Sequence, residues 1–188
     1  MFNLLLDPLP EDYEGYLIRT DYRIGVQISQ ALEDEELEPG ERMQVALGLL
    51  FGNGVPEAET AFAGLQWFLS GGQEVENTGD EPEAGDGIRY FSFDADAGRL
   101  YSGFRRAYGV DLDKTQMHWF RFLALLADLG KCAFTQVVDY RSADLSKMDK
   151  DTRAAYMKMR RKFALPQPKD PDEEKFMAAL NGGDGNGE

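Results

Sequence analysis

The sequence predicts an all-α fold: a bundle of six or seven helices, with a small β-hairpin at the N-terminus and a disordered tail at the C-terminus. Three observations carry this. Apolar residues recur at spacings of three and four over most of the chain, capping residues and glycines punctuate those runs, and alternating strand patterns are almost absent. The 188 residues suit one domain able to bury a core without disulfides or metal. Residues 1–166 form that helical domain, interrupted by a flexible acidic linker at 71–88; residues 167–188 are a spacer, a short helix and the tail.

The first 20 residues contain two prolines and read as irregular, except that Glu14-Gly15 turns between Tyr13 and Tyr16-Leu17-Ile18. A first helix starts from Thr20 or Asp21, either able to cap it, carries Ile24, Ile28, Ala31 and Leu32 on one face, and ends in EDEELE. Pro39 opens a second, because a missing N–H costs nothing in a first turn; Met43, Ala46, Leu47 and Leu50 are its stripe, and FGNG at 51–54 stops it. Pro56 and Glu57 open a third through Phe62, Leu65, Trp67, Phe68 and Leu69, ended by Gly71-Gly72. The linker that follows, GGQEVENTGDEPEAGDGI, has six acids and no Lys or Arg.

Beyond it, Asp94 caps a helix with Ala97, Leu100, Phe104 and Tyr108 inward, and Gly109 ends it. A further helix from Asp113 or Thr115 to Leu129 is apolar on nearly every side and reads as the centre of the bundle. Phe104, Trp119, Phe122 and Leu126 are therefore the expected buried core. Phe134, Val137 and Val138 continue the spacing until DYRSADLS interrupts it. Asp149 or Asp151 caps a last helix with Tyr156, Met159 and Phe163 as its core stripe, stopped by Leu165-Pro166. PQPKDP is a spacer, and DEEKFMAAL at 172–180 can form the short helix.

Net charge of -14 argues against nucleic-acid binding, which depends on Lys and Arg that release counterions. No segment reads as a membrane span, since the apolar stretch at 117–129 is short and contains Arg121 and Asp128. No secretory signal is present at the N-terminus, so the expected location is the cytoplasm. Protein partners are the natural class.

Catalytic and cofactor chemistry finds little support. His118 and Cys132 are the sole histidine and cysteine, too few for a structural zinc site and without neighbours that would activate a thiol–imidazole pair. A calcium loop opening at Asp94-Ala95-Asp96 meets Arg105 at its twelfth position, where a glutamate is needed. GNG at 52–54 follows no strand and ends a helix. No catalytic residue, metal site or cofactor is expected.

Seven positive charges lie between Lys147 and Lys162 in this acidic chain. Those near the end of the last helix complement its dipole. Arg153, Lys158, Arg160, Arg161 and Lys162 cannot all share the inward face with Tyr156, Met159 and Phe163, so they read first as a solvated, well-charged helix face and, alternatively, as a candidate partner-binding stripe.

FNLLLDPLP at 2–10, LIRTDYR at 17–23, RYFSFDADAGRLYSGFRRAYGVDL at 89–112, MHWFRFLALLADL at 117–129 and VVDYRSADLSKM at 137–148 together resemble the bacteriophage protein family called gp fifteen. The matching segments run in order over about residues 2–166. Two departures stand out: Trp119-Phe120 in place of the family's aromatic pair, and a glycine-rich linker. The resemblance implies a non-catalytic tail assembly chaperone of long-tailed phages of Gram-positive bacteria, acting in the host cytoplasm. Its implied partners are the tape measure protein and the major tail tube protein; self-association is a further expectation, from the basic groups of the last helix. The alternatives are a minor structural protein retained in the tail and, more remotely, a small thiol-dependent enzyme using Cys132 and His118.

Overall fold

A computed structural model describes residues 2–73 and 89–165. Within them a two-stranded antiparallel hairpin, β1 (Asp12–Tyr13) and β2 (Tyr16–Leu17), precedes seven α-helices. These are α1 (Tyr22–Glu33), α2 (Pro39–Phe51), α3 (Ala58–Leu69), α4 (Ala97–Tyr108), α5 (Trp119–Ala127), α6 (Ala133–Ser142) and α7 (Lys150–Lys162). The linker beyond Gln73, the 172–180 helix and the tail expected from the sequence lie outside the described residues.

Local chemistry explains most boundaries. Glu14 and Gly15 both take positive φ, 49° and 84°, the conformation a two-residue hairpin turn requires. Asp21 caps α1 by accepting the Arg23 N–H at 2.9 Å, and Asp149 caps α7 by accepting from Asp151 and Thr152. At the start of α2, Pro39 occupies the first turn, and the Glu41 side chain returns to the Glu38 N–H. Gly71 and Gly72 close α3 with left-handed φ, donating to Phe68 and Trp67 carbonyls.

Two starts differ from the sequence reading. Helix α5 begins at Trp119, several residues after Asp113 or Thr115, because residues 117–119 are held extended against residues 20–22. There the Trp119 N–H donates to Thr20, the Tyr22 N–H donates to Met117, and Asp21 bridges His118. Helix α4 begins after Asp96, while Asp94 sits in the preceding turn closed by the Ser92 hydroxyl.

The core is aromatic. Phe122 stacks on Tyr22 at 4.9 Å, Phe104 at 5.0 Å and Trp119 at 5.5 Å between centroids, while Phe68, Ile28, Leu50 and Leu129 fill the space around them. Phe104, Trp119 and Phe122 are thus buried as expected. Leu126 is only half-buried: α5 spans nine residues and buries Trp119, Phe120 and Phe122 in its first half, leaving its second half at the rim with Ala124 and Ala127 exposed. The expected core stripe of α7 is also a correction, since no residue of α7 is buried and Tyr156, Met159 and Phe163 are half-covered. Their support is a satellite cluster in which Tyr140 meets Tyr156 edge-on at 5.2 Å and stacks on Phe163.

Two glycines test this packing in opposite directions. A Cβ on Gly25 of α1 would lie 2.3 Å from the Trp119 indole, which is ringed by buried neighbours; Gly25→Ala is expected to cost about 1–3 kcal/mol. Gly48, inside α2, has open space there, so Gly48→Ala should stabilise by about 0.5–1 kcal/mol. Urea denaturation of the two variants measures both, and equal effects would contradict the packing described.

Candidate functional site

His118 and Cys132, the two residues a thiol enzyme would need, are engaged separately. The His118 ring caps α5, its Nδ1 accepting the Phe120 N–H at 3.1 Å while Nε2 lies 3.0 Å from the Pro10 carbonyl. These partners fix the tautomer with the proton on Nε2, donated to Pro10. Cys132 is the N-cap of α6, with its thiol near Thr135 Oγ1 at 3.7 Å and the Leu129 carbonyl. No hydrogen bond joins the two residues among those described. Nor, among the described residues, do three or more His, Cys, Asp or Glu side chains gather closely enough to hold a metal ion.

A buried ion pair that the sequence reading missed ties together the segments carrying the family resemblance. Asp96, fully buried, accepts from Arg141 Nη1 at 2.6 Å and Nη2 at 3.2 Å, and from Arg99 at 2.8 Å and the Ser92 N–H at 3.2 Å. Arg141, whose side chain is 7% exposed, also donates to the Phe163 and Tyr90 carbonyls. Burial alone would raise the Asp96 carboxyl; the Arg141 and Ser92 hydrogen bonds with the charges of Arg141 and Arg99 outweigh it and hold the group below its ordinary value. One guanidinium therefore joins the FSFDAD turn, α6 and the end of α7. A signal existed, since Arg141 continues the inward stripe of Phe134, Val137 and Val138, and a charge on a core face requires a partner.

The five-residue basic stripe divides in two. Arg160 is half-buried and donates to the Tyr140 and Ala143 carbonyls, closing the end of α6. Arg153 is exposed but donates to Leu145, Ser146 and Met148 carbonyls around the short 3₁₀ turn at Leu145–Lys147. Both also brace the fold, because the unpaired carbonyls of an ending helix attract cationic donors. Lys158, Arg161 and Lys162 remain exposed on α7, and no carboxylate among the described residues forms an ion pair with them.

Elsewhere the surface offers apolar contact. Leu5, Leu6 and Leu17 are 92%, 81% and 76% exposed beside the hairpin, an unusual amount of leucine in water for so short a stretch. A groove of about 290 Å³ lies between Tyr22, Val26, Phe93, Leu100 and Leu112, with Arg23 and Asp113 at its edge. A wider depression borders Arg106, Lys131 and Cys132. No described helix is long and apolar enough to cross a membrane.

Two tests follow from the buried polar groups. Arg141→Met removes the buried guanidinium and leaves Asp96 only Arg99 and the Ser92 N–H; it should cost up to about 3–5 kcal/mol in chemical denaturation, whereas Asp96→Leu combined with Arg141→Met should cost much less. For His118, burial acts first and the Arg121 charge adds to it, together lowering the imidazole from 6.5 despite the Pro10 carbonyl and Glu11. The unfolded chain consequently binds this proton first, so the neutral ring's contribution is present above about pH 6.5 and is lost as pH falls toward the lower folded value. His118→Asn, which retains a capping oxygen, should flatten that part of the stability profile.

No curated protein and no solved structure matches this chain. The family described as Bacteriophage Gp15 protein matches residues 5–165, which include every described helix, the Asp96–Arg141 pair and the α7 face. The chain belongs to the Bacteriophage Gp15 protein family.

Proposed function

We propose that this protein is a tail assembly chaperone that binds the tape measure protein and tail tube subunits reversibly during phage tail morphogenesis, in the host cytoplasm, without catalysing a reaction. The observation that carries the reading is family membership over residues 5–165. The surface is in keeping with it. Exposed leucines at positions 5, 6 and 17 suit the apolar stripe of an amphipathic helix, and Lys158, Arg161 and Lys162 suit an acidic face of the same partner. Elongated, apolar-striped chains aggregate when unpaired, and a strongly anionic binder keeps such a complex dispersed.

Co-expression with the tape measure protein followed by affinity capture tests the reading directly. Capture is expected, with weakening by at least about threefold for Lys158→Glu combined with Arg161→Glu at low salt. Failure to capture the tape measure would overturn it. Mass spectrometry of purified particles addresses the structural alternative: a chaperone is absent from them, whereas stoichiometric recovery would identify a retained tail component.

A further inference from the structure

Charge is distributed unevenly along the described chain. Residues 2–73 carry 13 carboxylates and three basic side chains, whereas residues 89–165 carry 15 basic side chains and nine carboxylates. The described residues thus divide into an acidic N-terminal part and a basic C-terminal part, a polarity that the net charge of -14 conceals. Each part concentrates its excess at one place.

On the acidic side that place is the turn between α1 and α2, where Glu33, Asp34, Glu35, Glu36 and Glu38 are all exposed. Glu33 pairs with Arg89, and Asp34 accepts the Glu36 N–H, but the carboxylates of Glu35 and Glu36 have no described hydrogen-bond or ion-pair partner. On the basic side it is the outer face of α7. Lys158, Arg161 and Lys162 stand at i, i+3 and i+4, so they project together, and Met157, 46% exposed, lies beside them. The cations Arg153 and Arg160 are braced by carbonyls, which fixes the orientation of this face.

We propose that the α7 face of one copy docks on the acidic α1–α2 turn of a second copy. Complementary charge supplies the attraction, and both surfaces are present in equal number in any solution of the protein. At longer range two anionic molecules repel, so only the orientation that brings α7 to the acidic turn is favourable; the net charge disfavours the others. A two-fold dimer makes the contact twice, and a head-to-tail array repeats it. The inference rests on the reading of the α7 face as a docking surface, yet it requires no tape measure protein.

The test is sedimentation of the purified full chain, freed of nucleic acid, at about 50 mM and about 500 mM salt, concentrations that bracket strong and weak screening. Association is expected at low salt and dissociation at high salt. Lys158→Glu with Arg161→Glu should weaken it by about tenfold or more, as should Glu35→Lys with Glu36→Lys. An equimolar mixture of these two double variants should associate again, because the reversed α7 of one meets the reversed turn of the other. That restoration also shows both variants folded. A parent that is monomeric at low salt, or a mixture that fails to restore association, overturns the proposal. So does a low-salt assembly that carries nucleic acid and disappears on nuclease treatment, which would place a polyanion on α7. A monomeric parent that still captures the tape measure would overturn this inference while leaving the chaperone reading intact.

Discussion

The fold depends on the indole of Trp119 lying directly on the backbone of Gly25. That approach requires a residue without Cβ on α1, and it brings α1 and α5 so close that residues 20–22 and 117–119 exchange backbone hydrogen bonds. From this junction the stack of Trp119, Phe122, Phe104 and Tyr22 extends across α5, α4 and α1. Tyr22 also donates its hydroxyl to Leu112, which fixes the α4–α5 connection. The indole N–H has no partner among the described residues, a cost that a side chain of this size offsets through the apolar area it buries. Most of the bundle is therefore positioned from one contact, whose two residues lie 94 positions apart in sequence.

Much of this was legible before any coordinates, and the reason is local chemistry. Asp21, Pro39, Gly71-Gly72, Gly109 and Asp149 act where the sequence places them, because caps and left-handed terminal residues are satisfied by groups a few positions away. What misled the reading was nonlocal. The apolar run from Met117 to Leu129 looks like one long central helix, but its first residues are recruited into backbone pairing with residues 20–22, and this shortens α5 and leaves Leu126 at the rim. A periodic pattern records which face is apolar; it does not record where the neighbouring helix ends.

The candidate site shows the same division. The crowding of cations at 147–162 was plain in the sequence, yet it could not distinguish a cation that binds a partner from one that closes a helix. Arg153 and Arg160 do close such ends, because α6 and the 3₁₀ turn present carbonyls within their reach. Arg141 was less visible still, lying in a segment that seemed only to interrupt a stripe. Its partner Asp96 lies 45 residues away in a turn, and no spacing rule connects them.

The same contacts explain how α7 can be a binding element. It buries no residue and holds its place through guanidinium groups donating to carbonyls and through aromatic edges on Tyr140. Such contacts define an orientation without the depth of burial that anchors α1 or α5, so α7 belongs to the less stable end of the molecule. A partner that covers its outer face adds apolar and charged contacts to an element whose inner face is already satisfied. Binding there would add to the stability of α7 and require no core to reopen, a combination suited to the reversible association proposed above.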